Sequence, residues 1–442
     1  MDPKFRHDTP ISYDIVKQKI DDSGLPSVGN ALIREIVRLV NRIENATGQK
    51  YIRMEMGVPG LKPAAVGVEA EIAALRKGVA SIYPMIEGLD ELKTEISRFV
   101  KLFLNIEVDE TNCIPTVGSM QGGFATYMVA GRCNVHKDTV LFIDPGFPVQ
   151  KQQLRVMGMK YETFDVYNFR GDKLREKLES FLSKGNISLI LYSNPNNPSW
   201  ICFTEKELKI IADLADKYDT IVVEDLAYFA MDFREDYSKP GLPPYQPTVA
   251  QYTDNYLLLI SSSKAFSYAG QRVGMMVISN KLFKKQYPDL KRYFKSDIFG
   301  NAMIFGALYS LSSGCSHSAQ YALAAMLKAA NDGDFNFVEV VKEYGERAKI
   351  MKKLFTDNGF KIVYDMDEDK PLADGFYFTF SYPGMTGEEL LEEMLYYGVS
   401  SIALSITGSE RLEGLRACVS QTGRERFEDL EYRLRKFREH HP

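Results

Sequence analysis

Short apolar runs alternate with helical patterns through the middle of the chain. The runs predict strands at 139–144, 187–192, 220–225, 255–263 and 272–279. Continuous apolar runs of this kind are typical of strands buried on both faces, and the polar helical segments between them supply the covering layers. The pattern therefore indicates a mostly parallel sheet with helices on both sides.

Helices are predicted where apolar residues recur at helical spacing. These segments are 30–46, 92–104, a helix from about 148, 204–218, 318–330, 335–356, 386–397 and 424–439, and a further strand is predicted at 376–382. The helix at 204–218 has the clearest start, because Thr204 and Glu207 stand at the spacing of a capping box.

The character of the chain changes in its last third, where long helices replace the strand–helix alternation. With 442 residues the chain is long enough for more than one domain. We predict an α/β fold with a large domain at 61–315 and a smaller α+β domain at 316–442. Residues 1–60 are expected to contribute to the small domain.

Composition narrows the range of partners. The net charge of -5 argues against nucleic acid as the main partner, because phosphate binding needs a basic surface. No apolar run approaches the roughly 18 residues of a membrane span, and the first ten residues lack the apolar core of a secretory signal. The five scattered cysteines indicate reduced thiols in the cytoplasm. No histidine pattern predicts a catalytic metal.

Chemically capable residues follow several predicted strands, at the sheet edge where α/β proteins bind ligands. Asp225 ends one strand, Asn197 follows another, Phe147 follows a third, and Lys264 comes after three serines. Each has an ordinary alternative, such as a helix cap for Asp225, a solvated side chain for Lys264 or a simple turn at the Asn-Pro repeats. Together they supply what pyridoxal phosphate requires: an amine for its aldehyde, a carboxylate for its ring nitrogen, hydroxyls for its phosphate and an aromatic face.

The segment around the lysine carries the strongest resemblance. SSSKAFSYAGQRVG, at 261–274, resembles the cofactor-lysine signature of the class I/II aminotransferases, the fold-type I pyridoxal-phosphate enzymes. The resemblance implies that Lys264 forms the internal aldimine. It also implies that Arg272 and Ser261 bind the cofactor phosphate, with Ser263 as an alternative to Ser261.

This resemblance covers nearly the whole chain, from about 50 to 425. It implies an aspartate aminotransferase-like fold with a seven-stranded sheet. EDLAY, ending at Tyr228, resembles the family's Asp-x-x-Tyr motif. The match implies that Asp225 pairs with the ring nitrogen and that Tyr228 donates to the phenolic oxygen.

The segment NPNNP resembles the family's Asn-Pro motif and implies that Asn197 reaches the same phenolic oxygen and lies near the substrate. The family usually continues with Thr-Gly, whereas this chain has Ser199 and Trp200. The turn that follows Asn197 therefore departs from the family pattern.

The remaining cofactor matches lie earlier in the chain. GSMQGG, at 118–123, resembles the phosphate-binding turn at a helix start, which implies that Ser119 and the amides of Met120 and Gln121 hold the phosphate. Phe147 stands where the family has the ring that stacks on the cofactor, usually tyrosine or tryptophan.

Three further matches concern the substrate and a second subunit. Arg416, in GLRACVS, resembles the arginine that clamps the substrate α-carboxylate through a bidentate fork. Gly57, in MGVPG, resembles the glycine turn near the substrate. Tyr83, in YPMIEGLDEL, resembles the tyrosine that reaches the phosphate of the neighbouring subunit, which implies a homodimer with shared active sites.

The function implied is transfer of an amino group from an L-amino acid to a 2-oxo acid by a ping-pong mechanism. Lys264 would act as general base and move a proton between the substrate and the cofactor. A carbon–sulfur β-lyase, or a related enzyme on the same fold, stays open as an alternative, because the cofactor residues would be the same. A pyridoxal-phosphate-binding regulatory module is also considered, but fewer than 60 residues precede Gly57 and they show no basic recognition helix.

Overall fold

The computed structural model describes residues 3–442 of the chain. The strands are β1 Ile52–Arg53, β2 Cys113–Thr116, β3 Thr139–Asp144, β4 Lys160–Asp165, β5 Ile187–Ser193, β6 Ile221–Leu226, β7 Tyr256–Ser261, β8 Gly274–Ile278, β9 Lys361–Ile362, β10 Met366–Asp367, β11 Lys370–Pro371, β12 Tyr377–Ser381, β13 Val399–Ser400, β14 Ile402–Ala403 and β15 Leu415–Cys418.

The α-helices are α1 Tyr13–Asp21, α2 Ile33–Thr47, α3 Ala65–Arg76, α4 Asp90–Leu104, α5 Gly118–Ala130, α6 Pro148–Val156, α7 Lys173–Leu182, α8 Glu205–Lys217, α9 Ser262–Ala265, α10 Asn280–Lys284, α11 Phe299–Asn301, α12 Tyr309–Ser312, α13 His317–Asn331, α14 Phe337–Val341, α15 Glu343–Asp357, α16 Gly387–Tyr396 and α17 Phe427–His440. A π-helical segment at 302–308 joins α11 to α12.

The chain divides into two compact units. The larger unit comprises 61–196 and 202–341, and the smaller comprises the residues up to 60, 197–201 and 342–442. The sequence places the end of the large domain near 315, whereas the larger unit continues to 341. The physical reason is that α13 packs along α3 and α4, which belong to the larger unit.

A seven-stranded sheet forms the centre of the larger unit. Its strand order is β2-β8-β7-β6-β5-β3-β4. The pairings from β4 through β3, β5 and β6 to β7 are parallel, while β8 is antiparallel to both β7 and β2. The predicted mostly parallel sheet is therefore confirmed. Every residue of β5, β6 and β7 is buried, as continuous apolar runs predict.

The strand predicted at 255–263 is shorter than its apolar pattern suggests. It ends at Ser261, and a helical turn begins at Ser262. The Oγ of Ser261 accepts a hydrogen bond from the backbone N–H of Ser263 and caps this turn. The turn lifts Lys264 out of the strand at the carboxyl edge of the sheet.

The smaller unit contains a four-stranded antiparallel sheet in the order β14-β15-β12-β9. Thr379 of β12 lies opposite Arg416 of β15. β1 pairs in parallel with β13, which attaches the N-terminal part of the chain to this unit. The single helix predicted at 335–356 is two helices, α14 and α15, that are interrupted at Lys342.

Within residues 3–442, the structure contains no helix that is both long and apolar enough to cross a membrane.

Candidate active site

Asp225 is a buried carboxylate at the carboxyl end of the central strand β6. Ser193, at the end of β5, lies directly opposite it. Its Oδ2 accepts a hydrogen bond from Gln150 Nε2 over 2.9 Å, and its Oδ1 accepts one from the backbone N–H of Ala227 over 3.2 Å. Burial raises the pKa of Asp225 to about 6, against the effect of these donors and of the Lys264 charge. A carboxylate in this state favours a cationic neighbour.

Lys264 lies in the short helical turn that follows β7, and it is half-buried. The three preceding serines have different environments. Ser262 is fully buried and donates to the carbonyl oxygen of Val273, over 2.5 Å, which ties this turn to the segment entering β8. Ser261 caps the turn, and Ser263 is also buried. The turn holding Lys264 is thus anchored on both sides.

Gly118 and Arg272 bring two predicted phosphate-binding segments together. A Cβ on Gly118 would lie 2.8 Å from Arg272 Nη2, so the guanidinium passes directly over this residue. Gly118 has φ +65, a left-handed conformation that favours glycine. A Cβ on Gly274 would lie 3.0 Å from the backbone nitrogen of Ser119. The two glycines therefore permit the close approach of α5, β8 and the arginine.

The first turn of α5 lies beside Arg272. The N-cap is Val117, one residue before the helix, so Ser119 and Met120 lie within the first turn. N–H groups of a first turn have no partner inside the helix and carry the positive end of its dipole. Gln121 accepts a hydrogen bond from the Val117 N–H through Oε1 over 2.8 Å. Together with the arginine, this turn forms a cradle suited to an anionic group.

Phe147 and Gln150 lie on either side of the start of α6. Phe147 is the N-cap and is half-buried, and Pro148 begins the helix. Gln150 lies in the first turn and is the residue that binds Asp225. Gln153, one turn later, donates to the carbonyl oxygen of Met120 over 2.9 Å and so links α6 to α5. Tyr228 is buried in the turn that follows β6, three residues after Asp225.

Two polar residues at this edge of the sheet were not predicted from the sequence to be site residues. Gln150 is one, although its place in the first turn of a helix at the carboxyl edge was a usable signal. Glu224 is another: it is fully buried, and its Oε1 accepts a bond from Asn194 Nδ2 over 3.2 Å. Its Oε2 accepts bonds from Thr248 Oγ1 over 2.5 Å and from the N–H of Val249 over 3.1 Å. Burial raises the pKa of Glu224 to about 7.

In the smaller unit, Arg416 is almost completely buried, with 1% of its surface exposed. Its Nη1 donates to Asn197 Oδ1 over 3.1 Å, and its Nη2 donates to the Glu55 carbonyl oxygen over 2.5 Å. Its Cζ lies 4.6 Å from the centre of the Tyr377 ring. Nε is buried and has no hydrogen-bond partner among the described residues. A buried guanidinium with spare donors is suited to a carboxylate ligand.

Gly57 also belongs to this cluster of the smaller unit. A Cβ there would lie 2.1 Å from the hydroxyl of Tyr377, so the tyrosine occupies the space that a side chain would need. Gly57 and Asn197 are therefore brought together around Tyr377 and Arg416. Tyr377 was not predicted as a site residue, because its role depends on contacts between distant segments.

Tyr83 is separate from these groups. It is 92% exposed in the loop before α4, and Ile82 and Met85 beside it are also exposed. Within the larger unit, the structure does not bring Tyr83 into contact with Lys264 or Asp225 through any observed hydrogen bond or ring contact among residues 3–442.

The chain is similar to known aminotransferases. The family described as "Aminotransferase class I and II" matches residues 50–421. The probable aspartate aminotransferase of Methanocaldococcus jannaschii is 26% identical over 344 residues, covering 77% of this chain and 80% of that protein. The aspartate aminotransferase of Pyrococcus horikoshii is 26% identical over 369 residues, covering 82% and 83%.

Among solved structures, the aspartate aminotransferase of Thermotoga maritima has a similar fold. The TM-score is 0.73 at 18% identity, and the match covers 95% of this chain and 99% of that one. The similarity confirms the predicted aspartate aminotransferase-like α/β fold.

Proposed function

Because the chain belongs to the class I and II aminotransferase family, we propose that pyridoxal 5′-phosphate is its cofactor and that Lys264 attaches it. The chain is an aminotransferase enzyme, and the proposal concerns how its own residues act. When bound, pyridoxal phosphate supplies an electron-withdrawing ring to the substrate α-carbon. The observation that carries the proposal is the buried Asp225 carboxylate at the sheet edge, within electrostatic range of Lys264.

Two features of the larger unit fit this cofactor. Asp225 is held by neutral donors and has a raised pKa, so a protonated ring nitrogen would stabilise its charged form. The cradle of Gly118, Ser119 and Arg272 combines backbone N–H groups, a hydroxyl and a guanidinium, which are the groups that bind phosphate.

The roles proposed for the larger unit follow from these positions. Lys264 Nζ would hold the cofactor through its amine and, once a substrate amine takes that place, would serve as the general base for the proton at the substrate α-carbon. With the cofactor bound, Asp225 would keep the proton on the ring nitrogen, Tyr228 would donate to the phenolic oxygen, and Phe147 would supply an aromatic face to the ring. The phosphate is bound by Arg272, by Ser119 with the amides of Met120 and Gln121, and by Ser261 or Ser263.

In the smaller unit, Arg416 is proposed to bind the α-carboxylate of the substrate. Its side chain is fixed by Asn197 and by the Glu55 carbonyl, so little ordering is needed when a carboxylate binds. Asn197 has a second proposed role at the phenolic oxygen of the cofactor. Gly57 is proposed to keep the backbone close to the substrate.

The substrates are proposed to be an L-amino acid and a 2-oxo acid that react in turn. The test is to mix the enzyme with single amino acids in the absence of an oxo acid. One equivalent of 2-oxo acid per subunit should form, and a second oxo acid should restore the starting enzyme. Lys264→Arg, which keeps the charge but cannot replace the amine, should form none. Continuous release of ammonia without added oxo acid would instead indicate lyase chemistry.

We also propose that the active enzyme is a homodimer in which Tyr83 reaches the phosphate site of the partner subunit. The support is its resemblance to the family tyrosine, together with the exposure of Tyr83, Ile82 and Met85. A cytoplasmic location is proposed on the five cysteines, all of which are buried and free of disulfides.

A further inference from the structure

Trp200 stands where the family usually has glycine, and its backbone keeps the conformation that glycine would adopt. Its φ is +68, in the left-handed region that side chains other than glycine rarely enter. The side chain is fully buried. A residue held in such a conformation needs surrounding contacts that fix it, and such residues cluster at functional sites.

The indole ring is fixed by Gly375. A Cβ on Gly375 would lie 2.0 Å from Cε2 and 2.2 Å from Cζ2 of Trp200, so the ring occupies the space that a side chain at Gly375 would need. Ser199, also buried, accepts a hydrogen bond from the N–H of Ile201 over 3.2 Å and closes the turn around Trp200. The position of the indole is thus set on two sides.

From this position Trp200 contacts the ring that supports Arg416. The ring centres of Trp200 and Tyr377 are 6.2 Å apart at an interplanar angle of 68°, an edge-to-face arrangement. Tyr377 and Arg416 lie on the same face of the β12–β15 pair, and the guanidinium lies over the tyrosine ring. Trp200 therefore packs against the ring over which the Arg416 guanidinium lies.

The same five-residue segment, 197–201, contacts Arg416 in a second way. Asn197 accepts a hydrogen bond from Nη1, while Trp200 contacts Tyr377, over whose ring the guanidinium lies. This double contact leaves Nε and the remaining N–H groups of the fork as the donors available to a ligand.

We propose that Trp200 is a positioning residue that aligns Arg416 for the α-carboxylate of the substrate. The proposal rests on the carboxylate-binding role of Arg416 given above. Glycine at position 200 would satisfy the backbone without supporting Tyr377, so the tryptophan contributes its ring rather than its conformation.

The experiment compares two ligands of the holoenzyme that differ in the carboxylate. 2-Methylalanine has no α-hydrogen to lose, and isopropylamine is its counterpart without a carboxylate. Their dissociation constants are measured from the cofactor absorbance. Trp200→Gly should raise the dissociation constant of 2-methylalanine about tenfold. It should change the dissociation constant of isopropylamine by no more than about twofold. The proposal would be overturned if the dissociation constants of both ligands rose equally, or if neither changed.

Gly375→Ala provides a second variant that keeps the indole but displaces it. It should also raise the dissociation constant of 2-methylalanine without changing that of isopropylamine. This effect should disappear in the Trp200→Gly background, where the new methyl group has room. Additive effects of the two substitutions would contradict the proposal.

Trp200 is the only tryptophan, so the emission of the wild-type protein reports its surroundings directly. Emission excited at the indole should change on 2-methylalanine binding with the same dissociation constant as the absorbance, and by more than on isopropylamine binding, because both ligands alter the cofactor absorbance but only 2-methylalanine carries a carboxylate for Arg416. An identical response to both ligands would contradict the coupling. If the wild-type enzyme binds both ligands equally well, the carboxylate role of Arg416 fails and the inference with it. If Trp200→Gly keeps the wild-type preference for 2-methylalanine over isopropylamine, the positioning role of Trp200 is refuted but the carboxylate-binding role of Arg416 is not.

Discussion

Gln150 donates a hydrogen bond from Nε2 to Oδ2 of Asp225 over 2.9 Å, and so joins the first turn of α6 to the end of β6. The donor is neutral, and burial raises the pKa of Asp225 to about 6. Gln150 therefore orients the carboxylate without neutralising it. The charge is left to interact with the protonated ring nitrogen of the proposed cofactor.

Asp225→Asn should bind cofactor but react far more slowly, because an amide cannot hold the proton on the ring nitrogen. Removing one partner of a buried ion pair costs roughly 3–5 kcal/mol, which corresponds to about 10²- to 10⁴-fold in rate. The rate of the amino-acid half-reaction is the measurement. The control is Gln150→Leu, which loses one neutral hydrogen bond of about 1 kcal/mol and should slow the reaction roughly fivefold. An Asp225→Asn enzyme within about threefold of wild type would remove Asp225 from this role.

Gly118→Ala should weaken cofactor binding about tenfold or more. The methyl group would lie 2.8 Å from Arg272 Nη2, and alanine is strained at φ +65. Gly123→Ala is the matched control on the same helix, because its methyl group would meet nothing closer than 3.6 Å. Titration of apoenzyme with pyridoxal phosphate should show unchanged affinity for the control. Equal affinities for the two variants would mean that Arg272 and Gly118 do not form the phosphate cradle.

The local elements could be predicted from the sequence because their signals are local. The strand Thr139–Asp144 matches its predicted bounds, and the capping box of Thr204 and Glu207 forms as predicted. The apolar pattern of 255–263 did not reveal that the strand ends at Ser261, because the serines fit a strand and a helix cap equally well.

The contacts of the site were less predictable. Lys264 and Asp225 could be proposed as site residues from the sequence because a short motif surrounds each. Tyr377 and Gly375 carry no such motif, and their importance appears only when residue 200 is placed beside them. The departure at Trp200 could be noticed in the sequence, but its consequence depends on a strand 177 residues further along the chain, at Tyr377.

Glu224→Gln should change how stability depends on pH. Burial raises the pKa of Glu224 from 4.5 to about 7, so the folded protein binds this proton more tightly than the unfolded chain. The contribution of this proton to the stability of the folded protein is therefore present below pH 4.5 and is lost as the pH rises to about 7. Glutamine does not titrate. The free energy of unfolding of the variant should therefore rise by roughly 3 kcal/mol relative to that of wild type as the pH increases across this range.

Urea unfolding of the two proteins at several pH values gives this difference directly. Glu389→Gln is the control, since the pKa of that exposed carboxyl is lowered by its hydrogen bonds to Thr386. It should show no gain as the pH rises. A constant difference between Glu224→Gln and wild type would mean that Glu224 is ionised throughout.

Mixing two inactive variants tests the shared site. Lys264→Ala and Tyr83→Ala are unfolded and refolded together, with different tags to verify that heterodimers form. If Tyr83 acts on the partner, each heterodimer has one site with both defects and one intact site, so activity should return at up to one site per heterodimer. Confirmed heterodimers without activity would refute the shared site, provided that Tyr83→Ala alone is severely impaired.

The central claim is that Lys264 carries the cofactor, and borohydride reduction tests it most directly. The holoenzyme is reduced, digested and mapped by mass spectrometry. The reduced cofactor should be found on the peptide containing Lys264, and Lys264→Ala should carry no covalently attached cofactor after reduction. Lys151 is the informative alternative, since it is buried at the same sheet edge beside Asp144, with its Nζ 2.5 Å from Oδ2. A cofactor label on Lys151, or on any lysine other than Lys264, would contradict the account.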